Sequence, residues 1–257
     1  MTLDDYAPRL DSAELVLAQL ESSARVSQHI IEGGFSWPEN NIEASFSEVR
    51  FEDCIFAGAD LSGSTFEDCE FVQCSMRGAD FRDARFLNCK LYCEDSPSDF
   101  RYSELRDVLF EGCDLTTCNF ERASAYGLEL KGCQAQGLDF TNADFSMTLG
   151  RNQTVAGFKC TSSNLAYADF SSTYLAGVTF KSTRLAHAVM HDCDLSGASI
   201  MQCELDNLEA THLKLSGANL AGSRFNNLNP RLIDLSGTKV DADQAMALLT
   251  ILGIEIV

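Results

Sequence analysis

Eleven cysteines and four histidines are the side chains of this 257-residue chain best suited to ligate a metal or act as nucleophiles. Their spacing argues against both. No CxxC pair occurs, and an intracellular protein would keep such thiols reduced. Nine of the cysteines (54, 69, 74, 89, 113, 118, 133, 193 and 203) stand two residues before a position of a five-residue ladder. That regularity suits a small, weakly polar filler of an interior. Cys93 and Cys160 fall outside this register and are the expected reactive thiols, although neither has an activating base nearby in sequence. His187 and His191 are four residues apart, which aligns two imidazoles on a helix but not on a β-coil. There is no phosphate-binding loop, G-x-S-x-G elbow or metal-spaced Cys/His cluster. The chain is expected to be no enzyme and to hold no cofactor.

The elements that position these residues follow a period of five. In CIFAGADLSGSTFEDCEF (54–71), Phe56, Leu61, Phe66 and Phe71 recur at that interval, each preceded two positions earlier by Cys54, Ala59, Ser64 or Cys69. Neither a helix (3.6) nor a flat strand (2) has this period, whereas a solenoid does. Thirty-six such rungs run at 46–91, 100–145 and 165–240, and 31 of them are Phe, Leu, Met or Ile. These aromatics are core rather than a ligand box.

Two interruptions break the ladder. The first, about residues 92–99, inserts four residues beyond one pentad and contains Pro97 and three acids. The second, 148–162, keeps the phase but loses the pattern. Insertions in a repeat array project from one face and often carry binding. The contact candidates are Glu94, Asp95 and Ser98 on the first loop and Arg151, Asn152 and Gln153 on the second.

The ends read as caps. Residues 11–32 are expected to form a helix opened by an Asp11/Glu14 capping box and closed at Gly33-Gly34, with FSWPENN (35–41) as connector. At the other end, Asp241 and Gln244 make a second capping box for a helix ending at Gly253, followed by a short strand through Ile254, Ile256 and Val257. That helix is too apolar to stand in water, so the last coil or a second subunit must cover it. The expected organisation is an N-terminal helical cap (1–40), a repeat body (41–240) and a C-terminal helix and strand (241–257).

The chain carries a net charge of −19 yet is 45% hydrophobic, so it is no disordered acidic tail. Residues 1–130 hold 26 acidic against 10 basic side chains. This argues against direct binding of nucleic acid or an anionic membrane, and for basic partners or imitation of a polyanion. Part of the acidity belongs to a repeating slot filled by Asp60, Asp80, Asp114, Asp139, Asp144, Asp169 and Asp194. The expected acidic face comprises Asp60, Glu67, Asp68 and Asp83. No run of 18 apolar residues is present, and MTLDDYAPRL lacks the order of a signal peptide. A soluble, cytoplasmic protein is expected.

The motif A-(D/N)-(L/F) recurs as Ala59-Asp60-Leu61, Ala79-Asp80-Phe81, Ala143-Asp144-Phe145, Ala168-Asp169-Phe170 and Ala218-Asn219-Leu220. This resembles the pentapeptide-repeat family, which implies an all-β solenoid, a right-handed quadrilateral β-helix with four pentads per coil. Thirty-six rungs then make about nine coils, a rod roughly 43 Å long at the ~4.8 Å strand spacing. Within the family, ASAYGLELKGCQAQGLDF (123–140), NLAYADF (164–170) and LSGTKVDADQAMALLTILGIEIV (235–257) are similar to the quinolone-resistance (Qnr) branch. That resemblance implies a non-enzymatic homodimer joined through Met246, Leu248, Leu249, Leu252 and Ile254. It also implies binding to DNA gyrase, with topoisomerase IV as a further candidate, in place of or beside DNA, and relief of quinolone poisoning. The chain departs from the branch in its short first loop, in a coil-length segment at 72–91 and in its first forty residues. A structural or adaptor pentapeptide-repeat protein with an unrelated partner is the alternative.

Overall fold

The structure is a computed structural model that describes residues 7–23, 25–33, 37, 43–93, 95–151 and 153–255. Each pentad forms one side of a four-sided coil, because a residue pairs in parallel with the residue twenty positions on. Phe46 lies over Phe66, and Phe66 over Phe86. The central residue of each pentad points into the bore and the residue before it points outward. The second residue after it turns the corner at positive φ, as at Asp53 (51°), Gly58 (75°) and Asp83 (61°). Gly, Asn and Asp tolerate that left-handed conformation best, which accounts for the recurrence of these types at the corners.

Four faces result, numbered in chain order. Face 1 runs through Phe46, Phe66 and Phe86, face 2 through Phe51, Phe71 and Leu91, face 3 through Phe56, Met76 and Phe100, and face 4 through Leu61, Phe81 and Leu105. Face 1 is a nine-stranded parallel sheet from Arg25–Ser27 to Ser199–Met201. The bore is filled by rings that stack between coils. Phe46–Phe66, Phe66–Phe86 and Phe86–Phe110 lie 5.1, 4.6 and 4.7 Å apart, with planes within 17°. Cysteines fill the inner corners, and their thiols donate to carbonyls of the preceding coil, as Cys89 Sγ does to Phe66 O at 3.3 Å.

The coil length is 20 residues except at the two insertions. It becomes 24 between Ser75 and Asp99 and 30 between Leu130 and Cys160. Whole pentads, or one widened corner, are added without disturbing the register of any wall.

The N-terminal expectation is corrected in part. Helix α1 spans Ala13–Ser23 rather than 11–32. Its cap is Ser12, whose Oγ accepts the Leu15 N–H at 3.3 Å, not Asp11. Arg25–Ser27 and Ile30–Glu32 already belong to the solenoid, paired with Ser45–Ser47 and Arg50–Glu52. Val26 and Ile31 therefore sit twenty residues before Phe46 and Phe51 and are fully buried. Three β-branched residues in six favour strand over helix there. Val16 and Leu20 of α1 are buried in the core cluster, as a cap requires. Trp37 stacks on Phe56 at 4.6 Å, while the rest of FSWPENN lies outside the described residues. At the other end α2 spans Ala242–Ile251 behind the expected Asp241/Gln244 capping box. Ile254 and Glu255 form no strand, and Ile256 and Val257 lie outside the described residues.

Candidate functional site

Both insertions are β-hairpins. The first pairs Tyr92–Cys93 with Ser96–Pro97 and is tied by the Tyr92 hydroxyl, which donates to Asp95 Oδ1 at 2.9 Å. That carboxylate raises the Tyr92 pKa. Asp95 is exposed, and Glu94 lies outside the described residues. Ser98 is 1% exposed and cannot touch a partner, because it occupies the inner-corner slot two residues before Phe100. Its place in the pentad was the available signal.

The second hairpin pairs Ser146–Leu149 with Gln153–Ala156 in a four-residue register. Leu149, Gly150, Arg151 and Gln153 at its tip are exposed, and Asn152 lies outside the described residues. The projecting segment is shorter than the expected 148–162, since Phe158–Thr161 has rejoined face 1 between Leu128–Lys131 and Thr179–Lys181. Gly157 fastens the hairpin to the rod. Its N–H donates to Phe145 O at 2.9 Å, and its carbonyl accepts the Gly127 N–H at 2.7 Å. The Tyr126 ring lies so close that a Cβ at Gly157 would sit 2.9 Å from it.

The return of the chain to face 1 also settles the expected reactive thiols. Cys160 is a rung between Leu130 and Phe180, fully buried, and burial pushes its pKa up to about 12. Cys93 is half-buried in the first hairpin, where burial and then Glu70 push its thiol up. Neither is activated.

The hairpins leave the rod at opposite corners. The first lies between faces 2 and 3, after Leu91, and the second between faces 4 and 1, after Phe145. Faces 3 and 4 thus form one half of the rod, bounded on each side by a hairpin. The outward column on face 3 contains Asp99, Asp139, Asp169 and Glu209, and that on face 4 contains Asp60, Asp80, Glu104, Asp144, Asp194 and Asp234. Lys214 is the single cation in these two columns. Faces 1 and 2 instead present Arg25, Arg85, Lys159, Lys239, Arg50, Lys90, Arg184 and Arg224 against Glu129, Glu70, Asp114 and Glu204. On face 2 the signs alternate and pair, as in Arg50–Glu70–Lys90 at 3.0 and 2.6 Å.

One oxygen of most of these aspartates has a structural task. Asp139, Asp144 and Asp169 each accept the backbone N–H two residues on, at 2.8, 2.9 and 2.8 Å, which satisfies the corner amide. Asp80, Asp99 and Asp194 pair with Arg82, Arg101 and Lys214. Burial opposes ionisation of Asp99, but Arg101 and a backbone N–H outweigh it and hold the pKa below the usual range. Glu104, Asp139, Asp144, Asp169 and Glu209 have no ion pair among the described residues.

The expected acidic face does not form as one surface. Asp60 lies on face 4 and Asp83 on the ridge between faces 4 and 1, whereas Glu67 and Asp68 lie on the ridge between faces 1 and 2. Residues five or six apart stand on neighbouring sides, so charge neighbours must be sought twenty positions away, corrected for the two insertions. Of the expected dimer residues, Met246, Leu249 and Ile254 are 43, 36 and 48% exposed, while Leu248 packs against the core cluster and Leu252 is partly buried. Leu232 in the last coil is 77% exposed. Among the described residues no group of His, Cys, Asp or Glu could hold a metal, and no helix is long and apolar enough to cross a membrane.

The family model for pentapeptide repeats matches eight copies, over residues 44–83, 62–92, 103–146 and 163–200. Its breaks coincide with the two hairpins. Over 127 residues the chain is 29% identical to the quinolone resistance pentapeptide repeat protein QnrB96 of Scandinavium goeteborgense, covering 49% of this chain and 50% of that one. Over 77 residues it is 35% identical to the pentapeptide repeat protein QnrB4 of Escherichia coli, covering 30% and 36%. The chain thus spans half or less of the length of these two relatives. Among solved structures, a trypsin-treated form of QnrB1, a plasmid-mediated fluoroquinolone resistance protein, superposes with a TM-score of 0.75 at 27% identity, covering 83% of this chain and all of that one. The full-length form superposes at 0.61 and 26%, over 89% of this chain and all of that one.

Proposed function

The chain belongs to the pentapeptide-repeat family, and from that footing we propose that it is a non-enzymatic quinolone-resistance protein. It binds DNA gyrase, and topoisomerase IV as a second target, through the acidic half of the rod, and so relieves quinolone poisoning. The observation that carries this reading is the enclosure of ten outward carboxylates on faces 3 and 4 between two projecting hairpins, in a chain that superposes on QnrB1. A column of carboxylates at the ~4.8 Å strand spacing presents the kind of regular negative field that a DNA-binding groove is built to receive. Two copies join end to end through Met246, Leu249, Ile254 and Leu232, an apolar surface left open on the last coil and α2. The protein acts in the cytoplasm, where its targets are.

The test is a gyrase supercoiling assay poisoned by a quinolone, run with the intact protein and with a variant lacking residues 147–156, two pentads whose removal returns the 30-residue coil to 20. The intact protein is expected to restore supercoiling and the variant to lose most of that rescue while keeping its fold. Absence of both rescue and gyrase binding with the intact protein would leave the adaptor reading in its place.

A further inference from the structure

A regular rod has a difficulty as a ligand. One coil's displacement along the axis, ~4.8 Å, brings Asp60 to the place of Asp80 and Asp80 to the place of Glu104. Matching carboxylate columns to a basic groove therefore leaves the axial register nearly degenerate. A feature that does not repeat must fix it.

The ridge where faces 3 and 4 meet is the midline of the acidic half, and it carries one such feature. Its corner residues at positive φ are Gly58, Gly78, Tyr102, Arg122 and Asn142 in successive coils. At Tyr102 a bulky residue holds φ 61°, a conformation such side chains avoid. Its ring is 44% exposed and is flanked by guanidinium groups of the adjacent coils. Arg77 lies 5.1 Å from the ring centroid on one side and Arg122 lies 6.0 Å away on the other. Arg122 Nη1 also donates to the Tyr102 hydroxyl at 3.3 Å. Arg77 has no ion pair among the described residues, and Arg122 has only Glu121 at 3.5 Å. Arg77 and Arg122 thus stand on the midline of a half whose outward columns are carboxylates.

We propose that the Arg77–Tyr102–Arg122 stack is a register key that receives a carboxylate-bearing segment of the protein whose basic surface meets faces 3 and 4. This rests on the reading of the acidic half as the topoisomerase-binding surface. The guanidinium fork matches a carboxylate in two-point geometry. The tyrosine ring holds both forks in place beforehand, which reduces the side-chain ordering required on binding. An acidic group set against the carboxylate columns of faces 3 and 4 is repelled, and Arg82 and Arg101 there are already held by Asp80 and Asp99, so the ring-held guanidinium pair favours one register.

The sign of one substitution separates the key from a plain polyanion. R77Q/R122Q adds two negative units to the net −19. If charge alone drives association, gyrase binding stays equal or tightens. If the stack is the key, binding weakens by about tenfold or more, the loss of one charge-assisted pair. Y102L, which keeps the bulk and loses the ring, is expected to weaken binding several-fold. R85Q/K181Q makes the same charge change on the opposite half and is expected to leave binding unchanged. Equal thermal midpoints qualify each variant as folded. Equal or tighter binding of R77Q/R122Q overturns the key and leaves the proposed function standing. Failure of the wild type to bind gyrase overturns both. Binding of the wild type to a 30-base-pair duplex that R77Q/R122Q abolishes would assign the ridge to nucleic acid and also overturn the key.

Discussion

Replacing Gln244 should detach α2 from the rod while leaving the rod itself folded. This side chain is 6% exposed and makes every contact its amide allows on that side. Nε2 donates to Leu220 O at 2.6 Å and to Ser223 O, and Oε1 accepts the Asp241 N–H at 2.8 Å. The Gln244 N–H in turn donates to Asp241 Oδ1 at 3.0 Å, and Asp241 Oδ2 takes the Gly222 N–H at 3.0 Å. Gln244→Ala leaves Ser223 O without a donor, at about 1–3 kcal/mol when buried, takes a second hydrogen bond of about 0.5–1.5 kcal/mol from Leu220 O, which keeps the Ser223 N–H at 2.9 Å, and halves a capping box worth about 1 kcal/mol. Water can enter from the adjoining open cleft of about 390 Å³, lined by Gly222, Ser223, Phe225 and Ala247. That entry reduces the expected cost to about 2–4 kcal/mol. In a quasi-one-dimensional array the loss stays local. Amide exchange over residues 242–252 should therefore accelerate by about thirtyfold or more, while the amides of face 1 keep their protection. Gln244→Glu adds a pH signature. A carboxylate set against two carbonyl oxygens is disfavoured in its charged form, so its folded pKa is raised. Stability is then complete below the ordinary carboxylate value of about 4.3 and is lost as pH rises through the raised one. Unchanged exchange in the alanine variant would show that Gln244 does not hold the cap.

Gly157→Ala should drive a Cβ to 2.9 Å from the Tyr126 ring and 3.0 Å from Gly127 N. The expected result is about 1–3 kcal/mol of local destabilisation and loss of gyrase protection with the rod's circular dichroism retained. A thiol reagent such as DTNB should find at most Cys93 in the native protein and all eleven cysteines after denaturation; prompt labelling of Cys160 would contradict its place as a rung. For Glu70, burial opposes ionisation, but Lys90 and Arg50 outweigh it and lower its pKa. The stabilisation is fully present above the unfolded value of about 4.3 and lost as pH falls through the lower folded one. The thermal midpoint should drop in that acid range, and Glu70→Gln should flatten the drop.

The pentad made most of the body readable, because one residue type recurs where one geometry recurs. Phe56 and Leu61 announce the bore, and Cys54 and Cys69 announce its inner corners. Both insertions were legible as breaks, and their shape was not. The return of Phe158–Thr161 to face 1 is set by pairing with Leu128–Lys131, thirty residues away, which no local pattern records. The N-terminal strands have a related cause. Leu15, Leu17 and Leu20 fit a helix, and Ile30 and Ile31 lie within reach of the same apolar periodicity, but the sheet edge at Arg50 and Phe51 recruits them as a strand, as Phe46 recruits Val26. The candidate surface was harder still. Asp60 and Glu67, seven residues apart, lie on different sides, while Asp139 and Asp169, thirty apart, are neighbours in one column.

The stacked phenylalanines give the barrel a mechanical gradient. Ring-to-ring contacts run through the bore from Trp37–Phe46 to Phe170–Phe180, and each adds about 0.5–1.5 kcal/mol beyond its buried area. Beyond Phe180 the rungs from Leu185 to Leu220 carry no ring, and Phe225 has no ring partner among the described residues. Under tension the chain would peel from its aliphatic end, coil by coil, and stop at the aromatic segment. Two rods joined at α2 would then meet on their most compliant coils, so the pair would flex at the joint while both hairpins, rooted in the stiff segment, kept their spacing.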